Sequence, residues 1–423
     1  MRIDLFRMKR TQCLPMHVQE LLDASPEPAR RHPPVMPGSP RRSAAVQALI
    51  ATALLACAAR TAGAGTAPTG RSPHTKNVVL LTLDGLRIQE VFGGMDPLLA
   101  EKRMEKKSGI YDLERARRRF WRDTPGERRA ALLPFFWGTL APQGIVLGDK
   151  EKGSSVQPLN RLLFSAPGYA ELLTGQPQPD VTTNDVKRYP HRTVLEFVRN
   201  ELRLGKRQVA TIGSWDGFGT LSSSEADAFF TNTGYEKVPA GIATPRMAFL
   251  GDLQFQIMAL WEEGRSDAVT FNIALEYLRT QRPRLLYIAL DESDDWAHAR
   301  RYDRLLDYLN VVDGYLRRLW RTLESIDQYR GRTTLILTTD HGRGVTTSDW
   351  VEHDKGIAGS EDIWIAVIGP DTPDHGELAP YPTVHQSDVA ATLLHFFGLD
   401  GRAFNPRAGP PIPAAFASPD SRE

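Results

Sequence analysis

From residue 76 onward, short apolar runs recur along the chain: Val78–Leu83, Gln208–Gly213, Leu285–Leu290, Thr334–Thr339 and Ile363–Ile368. Each is bounded by turn-forming or charged residues. Runs that are apolar at consecutive positions suit strands whose two faces are both covered, as in a parallel sheet. Between the runs the apolar spacing changes to three and four. Over His298–Ile326 it picks out Tyr302, Leu305, Leu309, Val312, Leu316, Leu319 and Leu323, one stripe of an amphipathic helix. This alternation predicts an α/β fold, doubly wound, with a mostly parallel central sheet and helices on both faces. The stretch Leu98–Arg129 breaks the alternation with charge-dense runs (KRMEKK, RARRRFWRD, ERR). It reads as a charged helical insertion, about residues 96–150, that is either solvated or a cap over a site.

The N-terminus follows another rule. Residues 1–42 are rich in Arg and Pro without periodicity, and Ser43–Ala59 is an uncharged, mostly apolar stretch flanked by Arg41-Arg42 and Arg60. Seventeen residues are short for a membrane span of about 20. A basic flank, an apolar middle and a small-residue tail instead match a secretory signal. Residues 1–75 are therefore assigned to targeting, with Met1, Met16 or Met36 as the start of translation. The location this predicts is periplasmic or extracellular. Leu54-Leu-Ala-Cys57 also fits a bacterial lipobox, so Cys57 is either a lipidated membrane anchor or incidental to a plain cleaved signal. The catalytic domain is placed at 76–405 and a disordered tail at 406–423.

Charge and cysteine content narrow the chemistry. The chain of 423 residues carries a formal charge of +1, but residues 1–75 hold 10 basic and 4 acidic side chains, which leaves 42 and 47 for the remainder. The folding part is mildly acidic, which argues against nucleic acid as a partner. The two cysteines, Cys13 and Cys57, both precede residue 76. The folded region thus has no disulfide, no thiolate ligand and no cysteine nucleophile.

Ligands of open parallel sheets sit beyond the carboxyl ends of the strands. The first apolar run ends at Asp84-Gly85, the fourth runs into Asp340-His341-Gly342, and the third is followed by Asp291-Glu-Ser-Asp294-Asp295-Trp-Ala-His298. One strand-end aspartate alone reads as the cap of the next helix. Three Asp or Asp/His groups at corresponding ends of one sheet read as ligands of a borderline divalent ion. Asp294 and His298 stand four apart, on one face if a helix starts there. Ser165 precedes Ala-Pro167-Gly168, so it falls near a helix N-terminus, where it is either a cap or a nucleophile facing an incoming phosphate.

These residues, with the stretches LLTLDGLR, NRLLFSAPGYAELLTG, LYIALDESDDWAHARRYD, LILTTDHGRG and IWIAVIGP, resemble the alkaline phosphatase superfamily over roughly residues 76–400. The nearest likeness is to its nucleotide pyrophosphatase/phosphodiesterase-like, exported bacterial members. The resemblance implies a hydrolase of phosphate esters with two divalent ions, zinc or manganese, about 4 Å apart. It implies Asp84, Ser165, Asp340 and His341 around one ion, and Asp294, His298 and a third histidine around the other. The third is His353, which lies before the last apolar run as the family pattern requires, or His385, which lies after it. Here Asp354 follows His353, where relatives usually have glycine. Ser165 aligns with the nucleophile and would form a phosphoseryl intermediate. Asn184 aligns with an asparagine that bonds a phosphate oxygen. Arg343 would contact the phosphate or pair with a site carboxylate.

Two other functions fit parts of the pattern. A sulfatase needs Cys/Ser-x-Pro-x-Arg, and Ser165-Ala-Pro167-Gly-Tyr169 has tyrosine in place of the arginine. A surface lipoprotein that keeps the fold without catalysis should lack a ligand or the nucleophile, and every expected position is filled.

Overall fold

The computed structural model describes residues 74–101 and 112–417. The targeting segment, with Cys13 and Cys57, lies outside them apart from its last two residues. No helix among the described residues is long and apolar enough to cross a membrane.

Ten strands are present among the described residues: β1 Asn77–Leu83, β2 Gly144–Leu147, β3 Ser154–Gln157, β4 Val209–Gly213, β5 Phe230–Thr233, β6 Leu285–Leu290, β7 Thr333–Thr338, β8 Ile365–Ile368, β9 Gly376–Glu377 and β10 Tyr381–His385. Eight form the central sheet in the order β5-β4-β6-β1-β7-β8-β2-β9, and β10 pairs with β3 separately. The segment from β5 to β7 is wholly parallel, as expected for an α/β fold. β8 departs from that expectation, since it runs antiparallel to both β7 and β2. An apolar run states that a strand is buried on both faces; it carries no information about direction.

Because strand side chains alternate, each central strand feeds two cores. Val79, Leu81 and Leu83 of β1 join Leu305, Leu309 and Leu316 on one face of the sheet. Val78 and Leu80 join Tyr169, Leu172 and Leu173 on the other. The first face is covered by the Tyr302–Ser325 helix, and all seven residues of its predicted stripe are buried. The second is covered by the Ser165–Thr174 helix, which is buried along its whole length.

The expected insertion is shorter than 96–150, because Gly144–Leu147 is a strand of the sheet itself. Its helices, Leu113–Phe120 and Pro125–Leu132, bury Leu113, Ala116, Phe120 and Leu132. Arg115 forms a two-bonded pair with Asp307 of the long helix. The charges of these two helices, buried Arg128 excepted, thus form the outer face of a layer packed on that helix, and the KRMEKK run lies outside the described residues. The tail also differs from expectation. Residues 406–417 fold back on the domain, where Ile412 and Ala415 are buried and the Ile412 N–H donates to Thr392 Oγ1 at 2.9 Å.

Candidate metal centre and nucleophile

The ends of β1 and β7 lie side by side, and short bonds tie them together. The Gly85 N–H donates to Asp340 Oδ1 at 3.0 Å, and the Leu86 N–H to Thr339 Oγ1 at 3.1 Å. Gly85 has φ +56°, and a Cβ there would stand 2.5 Å from Asp294 Oδ1. Conformation and space both demand glycine at that turn. The turn closes three carboxylates, Asp84, Asp340 and Asp294, around one point.

Three ligand-type atoms there are buried and have no hydrogen-bond partner: Asp84 Oδ1, Asp340 Oδ2 and His341 Nε2. His341 Nε2 lies 3.3 Å from Asp340 Oδ2 and 3.5 Å from Asp84 Oδ1. Its Nδ1 is 2.9 Å from the Gly342 carbonyl, which fixes Nδ1 as the protonated nitrogen and leaves an Nε2 lone pair facing two carboxylate oxygens. Lone pairs facing one another in a buried site are unfavourable unless a cation lies between them. The donor set therefore fits a divalent ion, and its hard oxygens with one imidazole suit zinc or manganese.

A second group adjoins the first. Asp294, His298 and His353 bring ligand atoms within 4.8 Å of one another, as do Asp84, Asp294 and His341. A helix does start there, Glu292–His298, and it sets Asp294 and His298 on one face, with His298 Nε2 3.1 Å from Asp294 Oδ2. His298 Nε2 and His353 Nε2 are 3.0 Å apart, and the rings of His341 and His353 stack at 3.9 Å. His353, not His385, completes this group. His385 closes β10, and its N–H donates to Asp388 Oδ2 at 2.9 Å.

His353 is held by an unusual backbone. Leu163 adopts φ +56°, a left-handed conformation that costs a non-glycine residue roughly 1 kcal/mol or more. Asn160 Oδ1 stabilises this turn by accepting from the Leu163 N–H at 3.0 Å, and the Leu163 carbonyl then meets His353 Nδ1 at 3.1 Å. Nε2 of His353 is thereby presented to Asp294 and His298.

Ser165 follows two residues later as the first residue of its helix; Phe164 takes the cap position and makes no side-chain cap bond. The helix is pinned against the ligands by its next turn. The Tyr169 hydroxyl donates to Asp84 Oδ2 at 2.9 Å, and a Cβ on Gly168 would stand 2.7 Å from the Asp340 carbonyl. Ser165, four residues before Tyr169, shares its face. The amides that follow Ser165 are already engaged. The Ala166 N–H already donates to Asn184 Oδ1 at 3.0 Å, Pro167 has none, and the Gly168 N–H bonds the Phe164 carbonyl. Asn184 is thus beside Ser165, and its NH2 end is the one left to donate.

Arg343 resolves to the second of its two readings. It is fully buried, pairs with Asp294 Oδ1, and donates to the Val351 carbonyl at 2.5 Å. Burial pulls its pKa down to about 9, still cationic at neutral pH. It offsets part of the negative charge and braces Asp294; it does not reach toward open space.

Several supports had no sequence signal. The Ser293 hydroxyl donates to the Asp84 carbonyl at 2.6 Å. Asp267 caps the Glu292–His298 helix by accepting from the N–H groups of Asp291 and Glu292, while Glu292 accepts from the Asp267 N–H and the Ser266 hydroxyl. Two helix starts cap each other, which fixes the helix that carries Asp294 and His298.

The electrostatics of these groups suit a cation. Burial, then the Asp340 charge, raises the Asp84 pKa well above the carboxylate range. Burial and the Asp267 charge push Asp291 up to about 8. Burial lowers His298, His341 and His353 below the usual 6.5. The signs fix how ion-free protein responds to pH. A raised carboxyl keeps in the fold a proton that the unfolded chain releases near 3.8, so its contribution is lost as pH rises to about 8. The lowered histidines oppose this only below 6.5, where the unfolded chain takes up protons. Chelator-treated protein should therefore melt at progressively lower temperature between pH 6.5 and 8.5. A melting temperature that rises over that interval in calorimetry contradicts the assignment.

Compared by sequence, the chain matches no family model and no curated protein. Solved structures give likenesses at low identity. The phosphonate monoester hydrolase of Silicibacter pomeroyi is 13% identical at a TM-score of 0.46, covering 82% of this chain and 78% of its own. The lipoteichoic acid synthase LtaP of Listeria monocytogenes is 11% identical at 0.48, with 77% and 72% covered. A 2-O GAG sulfatase is 14% identical at 0.44, with 82% and 73% covered. Likenesses of this size leave the activity to be argued from the site itself.

Proposed function

We propose that this chain is an exported, metal-dependent hydrolase of phosphate esters of the alkaline phosphatase superfamily, with Ser165 as nucleophile. One observation carries the reading. Asp84 Oδ1, Asp340 Oδ2 and His341 Nε2 are buried and unpartnered at adjoining strand ends, against the helix that starts at Ser165. Asp84, Asp340 and His341 would hold one divalent ion with Ser165, and Asp294, His298 and His353 a second. When bound, these ions supply the positive charge that lets a serine hydroxyl react as an alkoxide near neutral pH and that offsets charge on the phosphate.

The chain's own groups do the rest. Ser165 Oγ forms the new bond to phosphorus as the ester oxygen departs from the opposite side, and water then releases phosphate from the serine. Asn184 orients the phosphate through its NH2 end, because its Oδ1 is fixed on the Ala166 N–H. Tyr169 holds Asp84 in place. That role also weakens the sulfatase reading, since Tyr169 stands where a sulfatase needs arginine and is committed to a ligand.

The test is hydrolysis of a p-nitrophenyl panel, comprising monoester, diester, phosphonate and sulfate, with added zinc or manganese. The expected result is turnover of one or more phosphorus esters that chelator abolishes, with two equivalents of metal retained. Preference for the sulfate ester with one calcium favours the sulfatase, and turnover of none with variable metal favours a binding protein.

A further inference from the structure

We propose that Gln386 is a positioning residue for the ligand pair Asp340–His341; this rests on the reading of that pair as metal ligands. β10 ends at His385, the alternative third histidine, and that histidine does not join the cluster. Its neighbour does the work instead, through the backbone. Gln386 is completely buried, and its side-chain NH2 donates to the Asp340 carbonyl at 2.8 Å and to the Thr339 carbonyl at 3.1 Å. Its Oε1 is buried without a partner, so the amide is oriented by those two donated bonds alone.

The need for such a donor follows from where the strand ends. β7 stops at Thr338, so the carbonyls of Thr339 and Asp340 lie beyond the ladder, in the interior, where each still requires a partner. One primary amide reaches both, and the Thr338 hydroxyl adds a longer bond to the Thr339 carbonyl at 3.3 Å. The Asp340 carbonyl belongs to the peptide that joins Asp340 to His341, so a rotation of that peptide moves the carboxylate and the imidazole together. Three neighbours prevent it: Gln386 on the carbonyl, the Gly85 N–H on Asp340 Oδ1, and Gly168, which leaves no space for a Cβ beside the carbonyl. Gln386 is itself anchored, because its N–H donates to the Gln157 carbonyl at 3.0 Å, and that carbonyl closes β3. The small β3–β10 sheet thus transmits its position to the metal ligands.

The experiment is calorimetric titration of zinc into chelator-treated full-length protein, with melting temperature measured in parallel. Gln386→Met keeps length and burial but removes the donor. Thr392→Val is the control: Thr392 Oγ1 donates to the Asp388 carbonyl in the adjoining helix and touches no ligand. Both variants should lower the melting temperature, and only Gln386→Met should weaken zinc binding, by about 10- to 100-fold, as supports of ligands typically do. Should Gln386→Met fail to fold, Gln386→Glu replaces it, since a carboxylate of the same shape cannot donate to two carbonyls. Wild-type zinc affinity in the Gln386 variant, or an equal loss in Thr392→Val, overturns the proposal while leaving the metal centre standing. A wild-type protein that binds no zinc overturns both.

Discussion

Ser165→Ala is expected to retain both metal equivalents and the wild-type melting temperature, and to lose about 10³-fold or more of turnover on the best phosphorus ester. The packing explains why the fold should be indifferent. Ser165 is the first helical residue, its side chain caps nothing, and the helix is fastened by Tyr169 on Asp84, by Gly168 against Asp340 and by Glu171. Glu171 accepts from the N–H groups of Leu159 and Asn160 and from the Asn160 side chain. All of these survive the substitution. Removing a nucleophile while its surroundings persist leaves the electrostatic clamp on the phosphate, so residual activity above the uncatalysed rate is expected. The comparison needs turnover and metal content from the same preparation. Wild-type turnover in the variant excludes a phosphoserine, and lost metal together with lost turnover shows instead that the serine matters mainly as a ligand.

The residues that were legible in the sequence share a physical reason. Asp84, Asp340 and His341 follow apolar runs directly, so their place at strand ends could be read from the pattern of burial. Asp294 and His298 could be read from helical spacing. His353 sits in no periodic element, and its position depends on a left-handed Leu163 far away in the chain; the resemblance found it, and the residues around it could not. Tyr169 was within reach, because it stands four residues after Ser165 on the same helix. Ser293 and Gln386 were not, since both act on backbone carbonyls, an interaction that leaves no mark on residue type or spacing. Arg343 looked equally suited to phosphate and to carboxylate until burial decided it. The tail beyond residue 405 failed for a related reason. It shows no periodic stripe, whereas Ile412 and Ala415 are buried against the core and the Ile412 N–H is bonded to Thr392.

Asp340→Asn separates a metal ligand from a structural carboxylate by the sign of its effect. Asp340 Oδ1 accepts the Gly85 N–H, a bond that an asparagine oxygen preserves. Oδ2 is the unpartnered atom, 3.3 Å from His341 Nε2. An asparagine NH2 in that place donates toward His341 and Asp84, and it removes the buried charge that, after burial itself, raises the Asp84 pKa. In ion-free protein the substitution should therefore stabilise the fold, by roughly 1 kcal/mol, the scale of one gained hydrogen bond. With zinc present the order reverses. Wild-type protein gains stability in proportion to how tightly it binds the ion. The variant has exchanged a charged ligand for a neutral donor, so its affinity should fall by about 100-fold or more. Melting curves with chelator and with zinc should consequently cross: the variant melts higher without the ion and lower with it, and its turnover falls with its metal content. A carboxylate that merely held the turn together would lower the melting temperature in both conditions, and that outcome would remove Asp340 from the metal centre.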